Sequence, residues 1–346
     1  MNNFIYENRT KVYFGQGCVK EFLACLVRDA GNIMLAYGQG SVKRNGIYDE
    51  VLNILMKEGK HVTEFPGIMP NPTYQKVMEG ARLAREEKTE MILGVIVTTA
   101  GTGSECNGAA VITNEEQKVK TGHDYPKCNP AFALMDPAYT FSVPGGQMVS
   151  GAFDSLSHMM EAYFSEPDEQ NVSDEISEAL MRSVIKNIRQ AVRDPKDYTV
   201  RSNLLWSSAM SENRLIKLGK RCDFACHLME HQLSAYTGCS HSQGMSVLQP
   251  VYYRHIYRDG LDKFARFARN VWMIHEEGRN REELAEAGID ALADLIRETG
   301  LPARLREIGI KGQGQLKEIA DSCHYSPGAY RKLEAEEILE IFRECF

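Results

Sequence analysis

Up to about residue 140, short apolar runs alternate with stretches whose apolar positions recur at helical spacing. Beyond about residue 144 the helical spacing takes over entirely. Residues 4–14 mix β-branched and aromatic side chains and read as one or two strands, and residues 19–30 read as a helix. Residues 32–37 form a short apolar run that enters Gly38-Gln39-Gly40-Ser41, with a helical pattern continuing to Lys57. Residues 61–65 read as the next strand. The rigid turn Gly67-Ile68-Met69-Pro70-Asn71-Pro72-Thr73 follows, with Thr73 placed as N-cap of a helix over 74–87. Residues 91–97 read as a buried strand running into Thr98-Thr99-Ala100-Gly101-Thr102-Gly103-Ser104-Glu105. Further strands are expected at 109–113 and 132–135. Helices are expected over 168–193, 222–236, 261–275, 281–299 and 333–345. The pattern predicts an α/β nucleotide-binding domain at 1–140 and an all-α domain at 141–346, with the border near 137–147.

Composition changes this picture little. The chain has 346 residues, enough for two cores, with 43% hydrophobic and 25% charged residues. A net charge of −7 argues against a general nucleic-acid binder, and the basic cluster at 217–221 reads as solvated surface. The longest apolar run, 91–97, is too short to span a bilayer, so no membrane partner is expected. Nine cysteines without a dense framework, and an N-terminus unlike a signal peptide, predict reduced thiols and a cytoplasmic location.

Two stretches carry candidate chemistry. On the expected helix around 151–163, Asp154 and His158 are four residues apart, about 40° around the axis and one turn along it. Their neighbours Phe153, Leu156, Met159 and Met160 are apolar, so the pair needs a partner: a metal ion, or simply each other in the core. The second stretch has His227 and His231 at the same spacing, with His241 ten residues further on. One carboxylate with two or three imidazoles suits Zn, Fe, Ni or Co better than Mg or Ca. Cys222 and Cys226 leave a cysteine-ligated zinc as an alternative, and a metallohydrolase lacks the expected His-Glu-x-x-His arrangement. The Gly38–Ser41 turn and the small-residue loop at 98–105 are each able to approach a phosphate, though most such turns are only turns. A cleft between the two expected domains would bring metal and nucleotide together.

The chain resembles the iron-containing alcohol dehydrogenases, in particular the branch of butanol dehydrogenases and NADPH-dependent aldehyde reductases. The matching motifs are Tyr37-Gly-Gln-Gly-Ser-Val-Lys-Arg44, Gly67 to Thr73, Thr98 to Glu105, Leu134-Met-Asp-Pro137, Gly151 to Tyr163, and Cys226-His227 with His231 and His241. The resemblance implies the dehydroquinate synthase-like, iron-containing alcohol dehydrogenase fold. It implies Asp154, His158, His227 and His241 as ligands of one divalent metal, Fe or Zn, with Ni or Co as substitutes, and His231 as the catalytic histidine that is not a ligand. It implies Gly38, Gln39, Gly40 and Ser41 around the adenosine ribose, Asn71 near the adenine, Thr98, Thr99 and Thr102 along the cofactor groove, and Asn107 and Lys120 near cofactor or substrate. A small alcohol or aldehyde is the implied substrate and a homodimer the implied assembly, paired through the strands at 4–14.

No acid is visible in the first turn, and Lys43 and Arg44 follow it closely, so NADP(H) is expected over NAD(H). The chain departs from the family in one place. Leu93-Gly94-Val95 runs straight into Ile96-Val97-Thr98-Thr99, where members continue through a diphosphate-binding turn and a helix. One strand–turn–helix portion is therefore expected to be missing after Val95. Two alternatives to an alcohol dehydrogenase follow: a metal-binding protein with impaired cofactor binding, and a glycerol-type polyol dehydrogenase.

Overall fold

The computed structural model describes residues 1–90, 93–222, 224–323 and 330–346. The chain divides into two compact units, one formed by residues 8–99 and 104–143, the other by 1–7, 100–103 and 144–346.

The first unit is built on β1 (Lys11–Phe14), α1 (Cys18–Leu26), β2 (Asn32–Ala36), α2 (Ser41–Arg44), α3 (Ile47–Lys57), β3 (His61–Phe65), α4 (Tyr74–Glu86), β4 (Gly94–Ile96), β5 (Ala109–Asn114), β6 (Val119–Asp124) and β7 (Phe132–Met135). Within the expected strand at 4–14 only Lys11–Phe14 pairs, and the expected strand at 91–97 is Gly94–Ile96, with Met91 and Ile92 outside the described residues. β6 is too polar to show an apolar run. It forms because a turn at 115–118 folds it antiparallel onto β5 in the register Asn114↔Val119. Thr73 caps α4 as expected, accepting the Lys76 N–H at 3.2 Å.

The parallel strands fall into two sheets, β1-β7-β4 and β2-β3. The buried β7 is the centre of the first, with Gly94 opposite Phe132. A side chain at Gly94 would lie 2.1 Å from the Phe132 ring, so any larger residue there would require that ring to move. Val19, Leu23, Val51, Leu55 and Leu134 form the core between sheet and helices. Among the described residues no strand pairs with the second edge of β2 or of β4. The Glu90 N–H bonds to Asn32 O beside β2, and Leu93 O accepts from Ala131 N beside β7. Parallel strands are normally covered on both faces, yet β2 is partly exposed from Asn32 to Leu35 and exposed at Ala36, and Leu93 is 52% exposed.

The second unit is helical: α5 (Gly145–Tyr163), α6 (Val172–Arg193), α7 (Tyr198–Glu212), α8 (Ala225–Thr237), α9 (His241–Ile256), α10 (Leu261–Asn270), α11 (Arg281–Glu298), α12 (Leu316–Asp321) and α13 (Ala335–Glu344). α7 is a helix not expected from the sequence; Asp197 caps it by accepting the Val200 N–H at 2.9 Å. α5 is buried on nearly every side and packs against α6, α7 and α9. None of the helices is long and apolar enough to cross a membrane, among the described residues.

The tip of the small-residue loop, 100–103, is part of this helical unit. Gly101 donates its N–H to Ser208 Oγ at 2.7 Å, and Ser155 Oγ donates to Gly101 O at 3.0 Å. A side chain at Gly151 would meet Ala100 O at 2.1 Å. The small residues at both places permit this backbone-to-helix contact.

In the basic cluster at 217–221, Arg221 is exposed as expected and Lys217 is partly exposed, but Lys220 is not the solvated side chain expected of it. The Lys220 side chain is wholly buried and paired with Asp174. Lys263, also wholly buried, sits 3.3 Å from the same carboxylate and donates to Ser165 O and Pro167 O, both at 2.8 Å. Arg266 approaches it at 3.5 Å. Burial pulls the Lys263 ammonium down to about 8 from its usual 10.5. Asp174 is thus the shared counter-ion of three cations.

Candidate metal centre

The centre is assembled by three helices. α5 carries Asp154 and His158 one turn apart, α8 carries His227, and α9 opens at His241. Two local features connect α8 to α9. Gly238 ends α8 in the left-handed conformation at φ 69°, and Ser240 starts the next helix directly before His241. One donor atom from each of Asp154, His158, His227 and His241 falls within 4.8 Å of the others. The His158 and His227 rings stack at 4.7 Å, the His227 and His241 rings are 5.1 Å apart, and His241 Nε2 is 3.4 Å from Asp154 Oδ1.

The set fits a divalent cation. Asp154 Oδ1, His158 Nδ1 and His227 Nε2 are buried polar atoms without a hydrogen-bond partner. Such an atom costs about 1–3 kcal/mol when nothing satisfies it, and three in one place point to an ion that binds all of them. Burial, then the neighbouring histidines, hold His227 well below its ordinary 6.5, which keeps the ring neutral and able to ligate. One carboxylate oxygen and three imidazole nitrogens suit Fe, Zn, Co or Ni. Among the described residues, no cysteine belongs to a group of His, Cys, Asp or Glu side chains able to hold a metal.

His231 lies one turn along α8 from His227, buried, with its ring 5.5 Å from His241 and 6.4 Å from His227. Sequence reasoning missed two glutamates here. Glu161, on α5, touches His227, and Glu230, on α8, touches His241. The available signal was a glutamate inside the apolar run Met159-Met160-Glu161-Ala162 and one three residues past His227.

The residues expected around a cofactor fall mainly in the other unit. Gly38, Gln39, Gly40 and Ser41 form the turn from β2 into α2, with Gly40 at φ 107°. This turn is tied to the loop holding Asn71, since Gly67 N–H bonds to Gly38 O at 3.1 Å. Thr98 and Thr99 follow β4, whereas Thr102 lies in the segment that belongs to the helical unit. Asn107 and Lys120 are both buried, Asn107 accepting the Ala109 N–H at 2.9 Å before β5 and Lys120 on β6.

The expectation of an acid-free turn needs correction. Glu64, on β3, accepts hydrogen bonds from Tyr37 and from Lys43 Nζ, the latter at 3.1 Å. Those bonds, Tyr37's foremost, hold its carboxyl down near 2. Lys43 also lies 4.2 Å over the Tyr48 ring. Its charge is therefore already matched. Arg44 sits beside Gly40 and is paired with no carboxylate among the described residues.

Glu105 ends the small-residue loop and is almost wholly buried, with Oε1 unpartnered. Burial raises its carboxyl from 4.5 to about 7. Between those values the folded chain keeps a proton that the unfolded chain has lost, so stability falls as pH rises through the window. The full cost above pH 7 is about 3 kcal/mol. Glu105→Gln is expected to remove this slope. Urea unfolding at pH 5 and pH 8 checks it, and equal pH dependence in variant and parent would refute the assignment.

The comparisons with known proteins agree with this architecture. A family model described as the C-terminal part of the Fe-containing alcohol dehydrogenases matches residues 148–346, and one described as iron-containing alcohol dehydrogenase matches 9–95 and 93–137. The chain belongs to the iron-containing alcohol dehydrogenase family. Among its relatives, NADH-dependent butanol dehydrogenase A of Clostridium acetobutylicum is 32% identical over the whole of both chains. NADPH-dependent aldehyde reductase YqhD of Escherichia coli is 29% identical over 90% of each. The crystal structure of NADH-dependent butanol dehydrogenase A from Thermotoga maritima superposes with a TM-score of 0.93 at 31% identity, covering 100% of this chain and 99% of the other.

The same comparisons locate the departure after Val95. The alignment to the clostridial relative runs over 391 positions, 45 more than this chain has residues. The family model matches the first unit in two pieces that overlap at 93–95. β4 lies at that junction.

Proposed function

We propose that this chain is a metal-dependent, NAD(P)-linked alcohol dehydrogenase that also runs as an aldehyde reductase on small substrates. The observation that carries this reading is the four-donor cluster of Asp154, His158, His227 and His241, with Asp154 and His227 buried and His158 and His241 partly exposed, in a chain of this family. When bound, a divalent cation would supply a Lewis acid for a substrate oxygen, and the nicotinamide would give or take the hydride. The four donors would hold the ion, two of them, Asp154 and His227, buried. His231 is the proton carrier of this reading: it stands next to the donors without belonging to that four-donor set, and an imidazole titrates near neutrality.

NADP(H) is the proposed cofactor, and Arg44 is the cation that would meet a 2′-phosphate, because Lys43 is matched by Glu64. The relatives named above include both NADH- and NADPH-dependent enzymes, so the choice falls to experiment. A second reading, a metal-binding protein with impaired dinucleotide binding, is favoured by the 45-position difference.

One set of measurements separates these. Protein loaded with Zn or Fe is titrated with NADPH and NADH, and butanal-dependent oxidation of each is followed. Metal-dependent turnover with a preference for NADPH is expected. A preference for NADH removes the Arg44 argument. Metal binding without binding of either nicotinamide establishes the second reading, and rates with glycerol test the polyol alternative. In the same assay His231→Ala is expected to keep its metal and lose turnover, and undiminished turnover would remove its role.

A further inference from the structure

We infer that Glu161 and Glu230 are positioning residues of the metal centre: each takes the Nδ1 side of one donor histidine, His227 and His241, and so leaves Nε2 for the ion. The inference rests on the metal-centre reading above.

Both carboxylates are at most 1% exposed. They reach the histidines from different helices, Glu161 from α5 to His227 on α8 and Glu230 from α8 to His241 on α9. A neutral imidazole has one N–H, and an ionised carboxylate only accepts. Contact with a carboxylate at Nδ1 therefore places the proton there and bares the lone pair of Nε2. His227 Nε2 is buried without a hydrogen-bond partner, and His241 Nε2 lies 3.4 Å from Asp154 Oδ1.

The surroundings are built for these carboxylates. Glu161 also accepts the backbone N–H groups of Cys226 at 2.8 Å and His227 at 3.2 Å. These belong to the first turn of α8, whose own N-cap residue, Phe224, provides no side-chain cap. Glu161 thus caps one metal-bearing helix from another and fixes both the His227 backbone and its ring. Glu230 occupies space that Gly244 leaves open, because a side chain at Gly244 would come within 2.7 Å of Glu230 Cγ. A carboxylate behind a ligating imidazole fixes its orientation and raises its basicity, and removing one weakens metal binding roughly 10- to 100-fold.

Glu161→Gln and Glu230→Gln test this. A glutamine keeps the shape, but its amide can donate to Nδ1, which favours the ring form with the proton on Nε2. Each variant and the parent are stripped of metal. Zn affinity is measured by competition with a chromophoric chelator, the visible absorption of the Co(II)-loaded protein is recorded, and the apo melting temperature serves as the fold control. Glu230→Gln is the cleaner variant, since its carboxylate is not the cap of α8. The expected result is Zn affinity lower by about 10- to 100-fold in each variant, a shifted Co(II) spectrum, and an apo melting temperature close to the parent's for Glu230→Gln. Parental affinity and an unchanged spectrum in both variants would overturn the inference. So would weaker binding that appears only with a collapsed apo melting temperature and an unchanged spectrum. If the parent itself binds neither Zn nor Co(II), the metal-centre reading fails first.

Discussion

Replacing Asp154 with alanine is expected to lower affinity for a divalent cation by on the order of 10²- to 10³-fold and to abolish metal-dependent turnover. The magnitude follows from the donor count. Four-ligand protein sites bind zinc with roughly 10–16 kcal/mol, so one donor in four carries about a quarter of that. Asp154 is also the only carboxylate of the set, and its removal leaves three neutral rings to balance a double charge. The cost of the vacated site to the fold is small, because a buried, unpartnered oxygen leaves with the side chain. The apo variant is therefore expected to melt near the parent while metal content, measured after dialysis, falls to background. A variant that retains one equivalent of metal after dialysis would refute the four-donor assignment. His227→Ala should behave alike in metal binding, since its Nε2 is likewise buried and unpartnered.

Replacing Asp174 with alanine is expected to destabilise the helical unit by about 3–5 kcal/mol, the usual cost of removing one partner of a buried ion pair. Lys220 and Lys263 are fully buried and Arg266 is nearly so, and all three converge on this carboxylate. Without it, two ammonium groups and a guanidinium face one another at the head of α6. Asn171 would also lose the side-chain partner it bonds at 3.0 Å. A fall in melting temperature of roughly 10 °C would accompany the change. Asp168, half exposed and 3.8 Å from Lys263, is the control, and its alanine variant should cost under about 1 kcal/mol. Equal effects of the two replacements would show that burial of the counter-ion is not what matters. Metal affinity should be unaffected in the refolded Asp174 variant, which separates the fold's electrostatics from the site's.

How legible these features were in the sequence depended on the distance over which each is determined. His61–Phe65 and Phe132–Met135 were predicted at their observed bounds, because an apolar run bounded by turn residues is a local signal. The Asp154/His158 pair was legible for the same reason, as four-residue spacing sets one helical face. β6 was not, because its residues are polar and it exists through its pairing with β5. Lys220 read as surface because a lysine nearly always is, and only the fold delivers Asp174 from 46 residues away. Glu64 escaped notice beside the Gly38–Ser41 turn for a similar reason, since β3 approaches β2 only in the folded sheet.

By itself the sequence determined the two-part organisation, the family, the residue types able to hold a metal and the shortened stretch after Val95. These follow from periodicity, spacing and motif, which are properties of neighbouring residues. The tertiary structure alone decided that Asp154, His158, His227 and His241 come together and that Glu161 and Glu230 stand against His227 and His241. It also decided that Lys43 is matched by Glu64, and that the small-residue loop's tip belongs to the helical unit. Those outcomes turn on side chains tens of residues apart meeting in a low-dielectric interior. There every buried charge and hydrogen-bonding atom needs a partner, and the fold determines which one it finds.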